Sequence, residues 1–223
     1  MMDFETARAK MVDSQLRTTD VTSHSVLNAF IAVPREAFVP AGVKKIAYAD
    51  EDLQICPAKD GTGARYIMKA SPLAKLLQLA AVTKDDVVLE IGGGTGYVTA
   101  LLSLLAGSVV SLEADEELSA TATATLSSLG YDNAAVVTGS LDKGHEAEAP
   151  YDLIFINGSV EHVPAALLEQ LRDGGRLVAV VGYGNSAKAT VYRRDGKGTS
   201  SATFFNASVK PVPGFSKTRE FVF

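Results

Sequence analysis

Val87-Val88-Leu89-Glu90-Ile91-Gly92-Gly93-Gly94-Thr95-Gly96-Tyr97 decides the fold. A short run of strand character, apolar except for Glu90, breaks into glycines and reopens as a helical pattern over residues 97–105. This predicts a strand, a glycine loop and a helix that starts from the loop. Without a Cβ in the way, such a loop lets backbone approach a ligand closely. Amides at a helix start also favour an electron-rich group.

The pattern continues on both sides. Upstream, Ser71-Pro72 fits a cap and a first helical position, with Leu73, Leu76, Leu77 and Ala80 on one face. Downstream, residues 108–112 read as a strand, 115–129 as a helix closed by Gly130, and 135–138 as a strand. The wholly apolar run 153–156 suits the inside of a parallel sheet. A helix over 164–171 follows, and Gly174-Gly175 turns into a strand over 177–181. Alternation of this kind predicts an α/β fold, doubly wound, with a mostly parallel sheet between helices.

The flanks differ in character. Residues 1–70 read as a helical lead-in with loops, where Val26, Leu27, Phe30 and Ile31 recur at helical spacing behind a Thr22 or Ser23 cap, up to Val33-Pro34. Residues 71–184 are the α/β core. Residues 185–223 hold strands over 189–193 and 203–209 around Asp195-Gly196-Lys197-Gly198, a hairpin signal, with 220–223 as one more strand. The chain is read as a single domain over 1–223.

Composition narrows the function classes. Net charge is −5 over 223 residues, so phosphate backbones are repelled and nucleic acid is not an expected partner. Lys44-Lys45 and Arg193-Arg194 are too small to reverse this. Cys56 is the single cysteine, so no intrachain disulfide is possible, and a packed structural thiol is expected. Residues 1–16 carry Asp3, Glu5, Arg8, Lys10 and Asp13, unlike the apolar centre of a signal peptide. No apolar run reaches membrane-spanning length. A cytoplasmic chain with no metal and no membrane contact is expected.

Two cofactor classes use such a loop. Dinucleotide binders want G-x-G-x-x-G. Here Gly92, Gly94 and Gly96 give G-x-G-x-G, and bulky Tyr97 falls on the third dinucleotide glycine. Glu90 just before the loop would repel a pyrophosphate but attract the cationic amino end of S-adenosylmethionine, which is therefore favoured. Glu113 ends the next strand, 21 positions after Gly92, where a carboxylate can accept from both ribose hydroxyls. Gly139-Ser140-Leu141 would pass near the adenine, and Asn157-Gly158-Ser159 follows the fourth strand. The candidate cofactor residues are Glu90, Gly92, Gly93, Gly94, Thr95, Gly96, Tyr97, Glu113, Ala114, Ser140, Leu141 and Asn157.

More of the chain carries a family resemblance. Val33-Pro34-Arg35-Glu36-Ala37-Phe38-Val39-Pro40, then Ala47-Tyr48-Ala49-Asp50, resembles the entry segment of the protein-L-isoaspartate (D-aspartate) O-methyltransferases. Tyr151-Asp152-Leu153-Ile154, Leu167-Leu168-Glu169-Gln170-Leu171 and Gly174-Gly175-Arg176-Leu177-Val178 resemble that family's later sheet pattern. The resemblance spans about residues 11–215. It implies a seven-stranded Rossmann-like methyltransferase sheet with N-terminal helices and a C-terminal antiparallel hairpin, S-adenosylmethionine as cofactor, and methyl transfer to the isoaspartyl carboxylate of damaged proteins.

The resemblance fails at one motif. The family's Thr-Ile-Ser-x-Pro-His is replaced by Tyr66-Ile67-Met68-Lys69-Ala70-Ser71, with Met68 at the serine that helps hold the substrate carboxylate, or Ala70 when Pro72 is matched to the family's proline. The family's Gly-Asp-Gly near the adenine is altered to Gly139-Ser140-Leu141. No catalytic residue is therefore assigned; Lys69 and Ser71 are candidate substrate contacts, and His162 a candidate near the cleft. Two other readings stay open: a methyltransferase with a different acceptor, and a non-catalytic S-adenosylmethionine-binding protein.

Overall fold

The computed structural model describes residues 3–59, 63–196 and 198–216. The lead-in holds α1 (Phe4–Met11), prolonged by a π-helical turn over Val12–Leu16, and α2 (His24–Ala32). Ser23 caps α2 by accepting from the Val26 amide. Val26, Leu27 and Phe30 are buried, whereas Ile31, expected on the same stripe, faces solvent at 43% exposure. Val33 turns extended before Pro34, as a residue preceding proline must. Two short antiparallel strands follow, β1 (Leu53–Cys56) and β2 (Arg65–Ile67).

Helix α3 (Ala70–Ala80) begins earlier than the sequence suggests, and Ser71 is not its cap. Lys69 takes that place without a capping side-chain bond, its amide bound instead to Asp52 Oδ1 at 3.0 Å. Ser71 lies inside the first turn and pairs with the Thr19 hydroxyl at 2.9 Å. Pro72 is tolerated there because first-turn amides have no helical acceptor to lose.

The main sheet holds β3 (Val87–Ile91), β4 (Ser108–Glu113), β5 (Ala134–Thr138), β6 (Tyr151–Val160), β7 (Leu171–Val181), β8 (Lys188–Asp195) and β9 (Gly198–Asn206). Their order is β5-β4-β3-β6-β7-β8-β9. The first five positions are parallel, and β8 and β9 add antiparallel. Helices α4 (Tyr97–Leu105), α5 (Glu116–Ser128) and α6 (Ala165–Glu169) make crossovers. Alternate strand residues serve opposite faces: Val88, Leu153, Phe155 and Val178 join one core, and Leu89, Ile154, Ile156 and Leu177 the other. A sheet buried on both faces explains why residues 153–156 carry no polar residue. The chain steps from β3 outward to β4 and β5, then returns to the other side of β3 as β6. That reversal opens a crevice at the carboxyl ends of the strands, where such sheets bind ligands.

Three boundaries differ from expectation. Helix α6 is shorter than 164–171, because the Gln170 carbonyl already accepts from the Tyr151 amide at 2.8 Å and starts the β7 pairing. Strand β7 consequently begins at Leu171, not 177, and bulges at Gly174, whose φ is +77°. Strand β9 ends at Asn206. The next residues turn back instead, with the Ser159 amide bound to the Lys210 carbonyl at 3.0 Å and the Val212 amide to the Ser159 carbonyl at 2.9 Å. The strand expected over 220–223 lies outside the described residues.

The Pro34-Arg35-Glu36 segment braces the lead-in against the sheet. Arg35 is fully buried; its Nε donates to the Ala47 carbonyl at 2.8 Å and its Nη2 to the Met68 carbonyl at 2.9 Å. Its guanidinium carbon lies 4.8 Å from the Tyr97 ring centre. Phe30 and Phe38 meet the same ring edge-on. Glu36 holds Arg8 and Tyr48, and the Phe38 carbonyl accepts from Thr95 Oγ1 at 2.6 Å. Arg35→Met would orphan two buried carbonyls and should destabilise the fold by about 2–4 kcal/mol. A urea midpoint unchanged from the parent protein would refute this brace.

Candidate active site

The loop after β3 is folded by its own amides. Those of Gly92 and Gly93 both donate to the Leu112 carbonyl, and Gly96 donates back to the Gly93 carbonyl. The glycines are demanded by neighbouring protein atoms. A Cβ at Gly93 would stand 2.0 Å from Ser111 Oγ, and one at Gly94, with φ +60°, would stand 2.8 Å from Ile55 Cδ1. Residues 91–100 are buried. The loop therefore offers a close, small-residue surface, while these three amides are already spent.

Two buried glutamates flank the loop and differ in their partners. Glu90 is fully buried behind it. Its Oε2 accepts from Thr99 Oγ1 at 2.6 Å and Ser111 Oγ at 2.9 Å, and its Oε1 from Asn157 Nδ2 at 3.1 Å. Asn157 also donates to the Gly92 carbonyl at 3.2 Å. No cation faces Glu90 in these contacts. Burial, helped by the nearby charge of Glu113, pushes its carboxyl up to about 7, against the opposing hydroxyl and amide donors.

Glu113 ends β4, also fully buried, but with a cation. Arg65 donates from Nη1 to Oε1 at 2.5 Å and from Nη2 to Oε2 at 2.9 Å, while Nη2 also reaches the Gly92 carbonyl at 3.2 Å. The amides of Gly94 (2.7 Å), Ala114 (2.8 Å) and Asp115 (3.2 Å) complete the set. Asp115 in turn caps α5 through its Oδ1, and Lys59 bridges Asp115 and Glu117. Beside Glu113 lies a cavity of about 300 Å³, at the small end of the range for ligand pockets, bordered by Cys56, Pro57, Lys59, Gly63, Arg65, Glu113, Ala114, Asp115 and Pro213.

The structure brings together only part of the expected set. Glu113 and Ala114 border the cavity, and Asn157 ties β6 to the glycine loop. Thr95 and Tyr97 are buried toward the lead-in, Tyr97 between Arg35, Phe30 and Phe38. Ser140 is exposed and bonds Asp142, and Leu141 packs in the second core. Met68 fills the main core, and Ser71 is engaged by Thr19. Lys69 is half-buried at the start of α3, and His162 keeps a buried Nδ1 without a hydrogen-bond partner. Arg65, Ile55, Val212 and Pro213 were not singled out from the sequence. Nor was Cys56 expected at a cavity edge, though it is buried as anticipated. Among the described residues there is no His, Cys, Asp and Glu cluster able to hold a metal, and no helix long and apolar enough to cross a membrane.

The raised carboxyl of Glu90 gives a pH signature with a definite sign. A native acid titrating above its unfolded value binds more protons than the unfolded chain between about pH 4.5 and 7. Its contribution is whole below the unfolded value and is lost as pH rises through about 7. Glu90→Gln, which mimics the protonated group, should therefore gain on the parent protein between pH 5 and 8, by up to about 3 kcal/mol. Urea unfolding at both pH values, with parallel curves for the two proteins, would refute this.

The comparisons with known proteins agree with this geometry. The family model "Protein-L-isoaspartate(D-aspartate) O-methyltransferase (PCMT)" matches residues 6–217. A protein-L-isoaspartate O-methyltransferase of Koribacter versatilis is 42% identical over 179 residues, 80% of this chain and 78% of that protein. One of Archaeoglobus fulgidus is 39% identical over 184 residues, 81% of each. A solved protein-L-isoaspartate O-methyltransferase superposes with a TM-score of 0.80 at 26% identity, covering 93% of this chain and 67% of that one. A Plasmodium falciparum structure in complex with S-adenosyl-L-homocysteine shares the fold, with a TM-score of 0.75 at 15% identity, over 96% of this chain and all of that one. With the glycine loop, the acid ending β4 and the Arg35 brace all in place, the chain belongs to the protein-L-isoaspartate(D-aspartate) O-methyltransferase family.

Proposed function

We propose that the chain is an S-adenosylmethionine-dependent O-methyltransferase that esterifies the carboxylate of L-isoaspartyl residues in damaged proteins. The supporting observation is a buried carboxylate, Glu113, at the end of β4 and beside both the glycine loop and a nucleoside-sized cavity. A pyrophosphate would meet unfavourable charge from Glu113, whereas sugar hydroxyls are natural donors to it. Glu113 would hold the sugar. Gly92, Gly94 and Asn157 would border the amino-acid end, held by Glu90 from behind, and Ala114, Ser140 and Leu141 would lie toward the base.

S-adenosylmethionine supplies an electrophilic methyl carbon; sulfur keeps the bonding pair, and the acceptor becomes a neutral ester. The acceptor carboxylate is already anionic, so no general base is needed. The protein's part is alignment and exclusion of water. The glycine surface permits close approach, and the Glu90–Thr99–Ser111–Asn157 network ties the loop to β4, α4 and β6. Met68 is packed in the core, so it lends the cleft no apolar face for a different acceptor. The three sequence zones act as one catalytic unit, with its single thiol reduced in the cytoplasm.

Labelled S-adenosylmethionine with an isoaspartyl peptide and its aspartyl twin tests the reading. Transfer to the isoaspartyl peptide alone is expected; equal labelling, or none, removes it. Glu113→Ala should weaken S-adenosylmethionine binding at least about tenfold, as loss of a charge-assisted hydrogen bond requires. Unaltered affinity by calorimetry would dismiss Glu113 as the sugar partner.

A further inference from the structure

We infer that Arg65 is a two-position residue, which pairs with Glu113 until a nucleoside's sugar displaces it and then holds the carboxylate of the methyl acceptor. The inference rests on the functional reading above and names what recognises the acceptor.

The first half follows from hydrogen-bond capacity. A carboxylate has about four lone-pair sites. Glu113 already accepts from two guanidinium nitrogens and three backbone amides. The amides belong to the loop and to the start of α5, and cannot leave without unfolding them. Arg65 sits on the short strand β2, tied to the site through its side chain, so it is the donor that can be exchanged. Sugar hydroxyls and the Arg65 fork cannot both occupy the same two oxygens.

The second half follows from where a displaced guanidinium would emerge. The cavity beside Glu113 shares Gly63 and Pro213 with a larger groove of about 620 Å³. That groove is bordered by Tyr66, Tyr183 and Lys210, and has room for a peptide. Arg65 lies one residue before Tyr66, at the junction of the two. The cations among the described residues bordering either space are Lys59, Arg65 and Lys210. Lys59 is bound to Asp115 and Glu117, and Lys210 lies over the Tyr66 ring at 5.2 Å. Arg65 alone of the three trades its partner for the cofactor. Its planar fork suits a carboxylate, and contact through one nitrogen leaves the other oxygen free to attack. Methylation turns the acceptor into a neutral ester, which frees Arg65, and departure of S-adenosylhomocysteine with its sugar then lets Arg65 return to Glu113.

Two binding measurements test this, neither needing turnover. In the native protein, calorimetry should show an isoaspartyl peptide binding at least about tenfold more tightly when S-adenosylhomocysteine is saturating than without it, the worth of one hydrogen bond to a charged group. Arg65→Met keeps length without charge; it should bind S-adenosylhomocysteine about tenfold more tightly and, once saturated, lose at least about tenfold in peptide affinity. Arg65→Lys should fall between. Equal peptide affinity with and without S-adenosylhomocysteine in the native protein overturns the inference, even if Arg65→Met fails to fold. So does a folded Arg65→Met whose S-adenosylhomocysteine affinity is unchanged or weaker, or whose peptide affinity is retained. If the saturated native protein binds the peptide but labelled S-adenosylmethionine transfers nothing to it, the enzymatic reading falls while the role of Arg65 stands.

Discussion

The site is organised around one buried charge, the carboxylate of Glu113. A lone carboxylate in such surroundings would shed its charge, because desolvation costs more than protonation. Here five donors from four parts of the chain converge on it: β2, the glycine loop, the end of β4 and the approach to α5. The three backbone donors are thereby fixed in position. The loop conformation, the entry to α5 and the placement of β2 beside the carboxyl ends of β3 and β4 become parts of a single arrangement.

Glu90 shows how much partners matter. It sits one strand away and is as deeply buried as Glu113. It receives hydroxyls and an amide, not a guanidinium, and its carboxyl is pushed up to about 7, mainly by burial. From the sequence, Glu90 is expected to attract the cationic amino end of the cofactor. In the fold it is buried and clamps Thr99, Ser111 and Asn157 behind a loop whose one side chain, Thr95, turns to the Phe38 carbonyl instead. Gly93 must be glycine for the same reason: Ser111 Oγ occupies the space a Cβ would need.

What was legible in the sequence was local. The β3–loop–α4 unit, the acid at the end of β4 and the hairpin of β8 and β9 are each written in a few consecutive residues. The Pro34-Arg35-Glu36 segment was legible only as resemblance, since Arg35 acts on Ala47, Met68 and Tyr97, up to 62 positions away. Arg65 gave no signal at all. On a three-residue strand between loops, an arginine reads as surface, and only the fold brings it to a glutamate 48 positions on. Val212 and Pro213 were missed because the chain after β9 turns back along β6 through bonds to Ser159. The α6–β7 boundary was misplaced because strand pairing at Tyr151 overrode the helical preference of residues 167–171.

The replaced motif at residues 66–71 takes on a different meaning in this light. Read against the family, Met68 removes a hydroxyl and leaves the acceptor without a partner. Read in the fold, the side chain at 68 belongs to the core, and the polar chemistry of β2 sits three residues earlier, at Arg65. A hydroxyl can orient a carboxylate but cannot answer its charge; a guanidinium does both. Such a cation cannot stand unpaired beside a buried nucleoside site without cost, so it needs a resting partner. Glu113 is within reach and is required there for a separate purpose. One acid can therefore serve the sugar and the arginine in turn, provided they never need it at once.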